Sequence, residues 1–316
     1  MHPVTTPHTT GTLTRPHGQK LHWQELGNPH GTPLLGIHGG PGAHSNPRWS
    51  QLADPHHYRL ILIDQRGTGA STPNAAHPHT DLTHNTTGHL IADFEALRTH
   101  LNIDRWHLLG ASWGTCLALA YAQTHPHHIH SLTLLAVNTG TRREIEWITH
   151  DMRRVFPHQW EEFRAAAGPD ADPRRLPAAY SRLLAHPDPT IRHDAALAWC
   201  RWEDTHIATT PDHTPNPRFD DPAFRATFAR LVTHYWANDC FLEPDQLTRD
   251  LHRITHLPAT LINGRLDISG PSDIAHDLAA SWPGAHLVIV DNASHTSDHH
   301  GVGQAAKDSL DRMRTL

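Results

Sequence analysis

Short apolar runs alternate with stretches of helical periodicity through the first half of the chain. Residues 34–37, 58–63, 106–109 and 132–137 are runs of strand length in which apolar residues follow one another directly. A strand covered on both faces needs that pattern, whereas a half-exposed strand alternates. Between the second and third runs, Leu90, Ile91, Phe94, Leu97 and Leu101 recur at three- and four-residue spacing, which predicts a helix over 87–101 with one buried face. A second helix is expected over 116–122, stopped by Pro126. This order predicts an α/β fold built on a mostly parallel sheet flanked by helices.

From about residue 139 the pattern changes. Trp147, Phe156, Trp160, Phe163, Leu197, Trp199 and Trp202 fall at helical spacing among Arg and Glu, with Pro-rich breaks at 169–177, 187–189 and 211–217. No strand-like run returns until 259–262; a helix near 272–282, a strand over 287–290 and a terminal helix are expected after it. The reading is a core formed by residues 1–138 and 253–316, interrupted by a helical cap over 139–252.

The strongest local signal is Gly110-Ala111-Ser112-Trp113-Gly114, between an apolar strand and a helix. A sharp strand-to-helix turn leaves room only for small residues two positions either side of the serine, and it lifts the hydroxyl above the sheet. Ser112 is therefore the expected nucleophile. It needs a base, an acid to orient the base, and donors for the developing oxyanion. Asp267 directly follows the run 259–262 and His295 the run 287–290, in the order Ser, Asp, His. Asp273 and Asp277 are rivals for the acid, read as helical surface residues, and His299 and His300 are rivals for the base, read as surface residues. The loop His38-Gly39-Gly40-Pro41-Gly42 follows the first run. Its glycines allow close backbone approach, so the Gly40 and Trp113 N–H groups are the expected oxyanion donors, with Gly39 against the substrate. Cys116, one turn past Ser112, is expected to be a buried packing residue.

Composition narrows the classes. The 26 Lys and Arg against 32 Asp and Glu give a formal charge of −6, but 33 His bring the net charge near neutrality when about a quarter are protonated at pH 7. Lys occurs only at 20 and 307 and Arg is scattered, so no nucleic-acid footprint forms. No apolar stretch approaches a membrane span and no secretory signal is visible, so no membrane association is expected. Three widely spaced cysteines without Cys-x-x-Cys fit a reduced, cytoplasmic protein. The histidine pairs 56–57, 127–128 and 299–300 lack zinc-site spacing, and no metal is expected.

With these segments placed, the chain resembles the α/β-hydrolase superfamily and, more narrowly, the proline iminopeptidases. The resemblance runs over nearly the whole chain, through His38 to Gly42, Asp64-Gln65-Arg66-Gly67-Thr68-Gly69, Asn85-Thr86-Thr87, Gly110 to Thr115 and Gly264-Arg265-Leu266-Asp267. It implies a serine hydrolase that releases an N-terminal residue, preferentially proline, from small peptides through an acyl-enzyme, without metal or organic cofactor. It also implies that cap carboxylates read the free amine; Glu203 matches one of them, against the alternative of a solvated charge or a partner of Arg192 or Arg201. The sequence departs from the family at Val232, where a second cap glutamate is usual, and at Thr139, where an aromatic is usual. A Val232→Glu change is accordingly expected to raise prolyl activity. The departures keep a second reading open, an amidase, esterase or acyl-transfer enzyme of small-molecule metabolism. A third is a non-catalytic binding protein on the same scaffold.

Overall fold

The computed structural model describes residues 1–207, 209–210, 214–296 and 300–314. Eight strands, β1 (Thr9–Thr14), β2 (Lys20–Gly27), β3 (Thr32–Ile37), β4 (Tyr58–Ile63), β5 (Trp106–Ala111), β6 (Ile129–Leu135), β7 (Ala259–Gly264) and β8 (Ala285–Val290), form one sheet in the order β1-β2-β4-β3-β5-β6-β7-β8. The pairs β1–β2 and β2–β4 are antiparallel and all others parallel. The helices are α1 (Thr87–His100), α2 (Trp113–Thr124), α3 (Arg142–Thr149), α4 (Pro157–Ala166), α5 (Leu176–Leu184), α6 (Pro189–Ile207), α7 (Pro222–Ala237), α8 (Gln246–Arg249), α9 (Ser272–Ala280) and α10 (His300–Met313).

The apolar runs divide by period two between the two faces of the sheet. Leu35, Ile37, Ile61, Ile63, Leu108 and Leu261 join α1, α2 and α9 in one core. Their neighbours Leu34, Leu60, Leu62, Leu109 and Ile262 join α10 in another. Consecutive apolar residues are thus both buried, which explains why these segments read as uninterrupted runs. A third core lies among α4 to α7, where Phe163 stacks on Tyr180 and Trp202 and meets Trp199 edge-on. Among the described residues, every regular element between β6 and β7 is helical, and the third core belongs to that segment.

Three local outcomes differ from the sequence reading. The strand expected at 132–137 spans Ile129–Leu135, because Ala136 takes a positive φ of 51° and turns the chain out of the sheet. The N-terminal hairpin β1–β2 carries little apolar signal, yet it extends the sheet edge. Val232 is fully buried in the third core, on α7 between Phe228 and Trp236, so a carboxylate there would meet apolar side chains. That burial sets a stability cost against the gain expected from Val232→Glu.

The chain leaves β3 toward β4 on one side and reaches β5 on the other, so the strand order reverses at β3 and β5. Open α/β sheets place their ligand crevice at the carboxyl ends of strands at such a switch point. Residues 38–42 and Ser112 both emerge there.

Candidate active site

Ser112 is the N-cap of α2, with φ 54° and ψ −125°, a backbone state few side-chain-bearing residues adopt. The turn closes because its flanking glycines have no side chain: a Cβ on Gly110 would lie 2.5 Å from the Gly114 carbonyl oxygen, and one on Gly114 would lie 2.0 Å from that of Ile37. The Ser112 N–H donates to Leu135 O at 2.9 Å, pinning the bend to the end of β6.

His295, in the loop after β8, brings its Nε2 within 2.9 Å of Ser112 Oγ. Its Nδ1 lies 3.0 and 2.9 Å from the two carboxylate oxygens of Asp267, in the loop after β7. Asp267 is fully buried as a side chain, and its Oδ1 also accepts the Gly270 N–H at 2.8 Å. Burial pulls the His295 imidazole down. The Asp267 carboxylate, by charge and hydrogen bond, and then the Glu203 charge outweigh that and hold it above the ordinary imidazole value. The rivals lie elsewhere: Asp273 is exposed and paired with Arg143 at 2.9 Å, Asp277 is exposed on α9, and His300 is exposed at the start of α10. His299 lies outside the described residues.

The loop 38–42 runs beside the serine. A Cβ on Gly39 would stand 2.9 Å from Ala111 O and 3.1 Å from Ser112 Cβ, so the Gly39 backbone lies directly against Ser112. Gly40 and Trp113 both border the space in front of Ser112. The loop is tied down by Gln65. The Gln65 N–H donates to His38 Nε2 at 3.1 Å, its Nε2 donates to His38 O at 2.8 Å, and its Oε1 accepts the Trp113 indole N–H at 3.2 Å. One side chain therefore links the loop to the residue after Ser112. Burial lowers the His38 imidazole to about 4, so it stays neutral, with Nε2 as acceptor and Nδ1–H directed to Gly39 O at 3.0 Å.

Two cavities meet at Ser112. The smaller, about 50 Å³, is walled by Pro41, Trp113, Ile145, Ile148 and Trp236, with Asn138, Glu144, Glu203, His206 and Ser269 among its polar groups. The larger, about 540 Å³, shares Gly40, Ser112, Glu203 and His295 and extends toward Arg48, Arg218 and Phe224. Glu203 projects from α6 with a side chain only 12% exposed, 3.5 Å from His206 Nε2. Burial would raise its carboxyl, but the His206 charge and hydrogen bond, Arg218 and His295 together hold it below the ordinary range. Sequence reasoning passed over Gln65, Glu144, His206 and Trp236. His206 alone left a local signal, standing one turn from Glu203 on one helix.

Cys116 is fully buried, and burial pushes its thiol far up. Cys240, whose thiol is likewise raised by burial, lies beside it: a Cβ on Gly140 would stand 3.0 Å from Cys116 Sγ and 3.3 Å from Cys240 Sγ. Among the described residues, Glu95, His125 and His128 form a group able to hold a metal ion. It sits at the far end of α2 from Ser112, and the Glu95 carboxylate is already engaged by Arg98 and by His128 at 2.7 Å. Among the described residues no helix is long and apolar enough to cross a membrane.

The alpha/beta hydrolase fold family matches residues 32–297, which include Ser112, Asp267 and His295. The class is therefore an alpha/beta hydrolase. A probable proline iminopeptidase of Streptomyces coelicolor is 44% identical over 95% of this chain and 94% of that protein. A proline iminopeptidase of Xylella fastidiosa is 40% identical over 94% of each chain. The chain belongs to the proline iminopeptidase family. The crystal structure of the Mycobacterium smegmatis proline iminopeptidase shares the fold, with a TM-score of 0.66 at 22% identity over 97% of this chain and 99% of that one.

Proposed function

We propose that the protein is a serine aminopeptidase that releases an N-terminal residue, preferentially proline, from small peptides. The observation that carries this reading is the small cavity in front of Ser112, whose apolar walls hold a largely buried carboxylate, Glu203. A small apolar ring bearing a positive charge suits such a cavity. In this reading residues 139–252 act as a cap, with α6 delivering the amine receptor.

His295 Nε2 takes the Ser112 proton as Oγ attacks the scissile carbonyl, and Asp267 holds Nδ1–H so that Nε2 presents its lone pair. The Gly40 and Trp113 N–H groups receive the oxyanion, and the Gly39 backbone lies alongside the substrate. His295 then returns the proton to the leaving amine, which departs through the larger cavity. Water, activated by the same imidazole, hydrolyses the acyl-enzyme. Trp236 and Ile148 stand where the ring would pack, which offsets the absence of an aromatic at Thr139. Thr139 instead donates its N–H to Glu144 Oε2 at 2.9 Å.

Hydrolysis of prolyl, alanyl and N-acetylprolyl anilides, with fluorophosphonate labelling of the wild type and Ser112→Ala, tests the proposal. We expect labelling to vanish in Ser112→Ala, prolyl anilide to be preferred, and the N-acetylated compound to be refused. Equal cleavage of free and acetylated substrates would overturn the amine-reading function in favour of a general amidase or esterase. The apolar Val232, where a second cap glutamate is usual, is the observation that favours that second reading. Unlabelled wild type would point to a binding protein.

A further inference from the structure

We propose that Glu95, His125 and His128 form a binding site for a divalent transition-metal ion, zinc by the donor set, that clamps α1 to the end of α2. One nitrogen from each histidine and one carboxylate oxygen lie within 4.8 Å of one another. Among the described residues no other three His, Cys, Asp or Glu side chains form such a group. In a chain with 33 His, convergence rather than number marks a site. No spacing along the chain announces this one, because its carboxylate comes from α1 and its imidazoles from the turn that ends α2.

That turn brings both rings to one side. His125 caps α2, its N–H donating to Tyr121 O at 2.8 Å. Pro126 then opens a short 3₁₀ turn in which the His128 N–H donates to His125 O at 3.0 Å. The two imidazoles lie nearly parallel, 7° apart in plane with centroids at 5.9 Å. Their Nδ1 atoms both face Glu95 Oε2, at 3.5 Å from His125 and 2.7 Å from His128. Zinc bonds imidazole nitrogen and carboxylate oxygen at about 2.0–2.2 Å, which in a tetrahedron separates neighbouring donors by about 3.3–3.5 Å. The observed separations bracket that spacing, so small ring rotations seat the ion. Without an ion the His128 Nδ1–H donates to Oε2; the ion takes the place of that proton, as metal binding to imidazole requires. Arg98 Nε and Tyr121 Oη donate to the other oxygen, Oε1, the tyrosine at 3.4 Å, which fixes the carboxylate and leaves Oε2 toward the rings. The Arg98 charge opposes a cation and weakens the site without occupying its donor atom. The three side chains are 20–32% exposed, so water can supply the fourth ligand. Two imidazoles select zinc over calcium or magnesium, which take oxygen donors. The 12 residues of α2 separate the site from Ser112 by about 18 Å, so the ion is a structural clamp.

The experiment strips the full chain of metal with a chelator, returns it to chelator-free buffer at neutral pH and titrates it calorimetrically with zinc chloride. Wild type is compared with His125→Ala, His128→Ala and His127→Ala. His127 is exposed between the two ligands and outside the group, so it controls for adventitious binding to imidazoles. We expect one tight zinc site in wild type and in His127→Ala. Loss of a partner that only orients a ligand costs roughly 10- to 100-fold in metal affinity, so removing a ligand itself in His125→Ala or His128→Ala should weaken Kd by at least about tenfold. Zinc should raise the Tm of wild type and magnesium should not, while chelation should leave kcat/KM for prolyl anilide unchanged. Diethyl pyrocarbonate modification mapped by mass spectrometry locates the ion on wild type without any variant: zinc should protect His125 and His128 and leave His127 reactive. Equal zinc affinity in all four proteins, no stoichiometric binding by wild type, or His125 and His128 left reactive under zinc would each overturn the site. A Tm that zinc does not move would overturn the clamp.

Discussion

His295 works between opposing influences, and the balance sets a pH dependence. In the proposed mechanism it is the base and must be neutral. Because Asp267 and Glu203 hold the group above the ordinary imidazole value against the pull of burial, protonation persists to higher pH and activity is lost on acidification sooner than for a free histidine. Glu203→Gln removes one of the stabilising charges, so the acid limb of kcat/KM should move to lower pH while KM for prolyl anilide rises by roughly ten- to a hundredfold. A pH–rate profile of both proteins checks it; an acid limb that stays in place would show that Glu203 is not felt at the imidazole. Asp267→Asn leaves the bulk of the side chain but presents a donor to His295, favouring the wrong tautomer. A fall in kcat of about 10⁴ is expected by analogy with other serine triads, with KM little changed. Val232 is a different case. Its full burial among Phe228, Ala229 and the Trp199 cluster means Val232→Glu should cost several kcal/mol of stability through an unpaired buried carboxylate, visible as a lowered denaturant midpoint rather than as a gain in prolyl turnover.

At the scale of elements, the loop after β4 is fastened to α1 by an ion pair with almost no solvent access. Arg66 Nε and Nη2 donate to Asp93 at 2.5 and 2.8 Å, both side chains are 2% exposed, and Arg66 Nη1 donates to His84 O at 2.7 Å. Asp93 also receives Arg15 at 2.9 Å, tying the loop after β1 to the same helix. Removing one partner of such a pair strands a buried charge. Asp93→Ala should therefore cost about 3–5 kcal/mol in chemical denaturation, far more than Arg143→Ala, whose partner Asp273 is exposed. The segment Asp64-Gln65-Arg66-Gly67 was legible in the sequence only as part of a family likeness; its physical role emerges from contacts that no local pattern encodes. The same divide runs through the chain. Runs such as 58–63 reveal their strands because both faces are covered, and α1 reveals itself because one face is. The strand β1, with Leu13 as its lone large apolar residue, owes its place to pairing with β2 rather than to its own composition. Ser112 was legible because a strained turn demands small neighbours at fixed offsets. Glu144 and Trp236 were not, because they reach the cavity from separate helices and neither the α3 cap motif nor a tryptophan in α7 announces where its side chain lands.

At the scale of the whole molecule, Glu203 and Ser112 belong to different layers, so the proposed function depends on how firmly the helical segment is seated on the sheet layer. Much of that seating is polar and runs through α7. Arg230 donates to the carbonyls of Ala75, His77 and Thr80 at 3.0, 2.5 and 2.6 Å. Tyr235 Oη donates to Asn85 Oδ1 at 2.6 Å, and Thr227 Oγ1 donates to Asn74 Oδ1 at 3.0 Å. All of these acceptors lie between β4 and α1, the stretch that also carries Gln65 and Arg66. Removing Arg230 deletes the densest of the contacts without touching a residue that borders Ser112, His295 or the small cavity. Arg230→Ala should therefore lower stability by roughly 1.5–3 kcal/mol and shift α7 and residues 74–86 to faster hydrogen exchange, since local opening follows local contact loss. Prolyl anilide, which needs Glu203 and Ser112 in register, should lose kcat/KM, whereas p-nitrophenyl acetate, which needs only the Ser112 side of the site, should be hydrolysed almost as before. Equal loss on both substrates would mean that the two layers move as one body and that the docking of α7 does not separately control substrate selection.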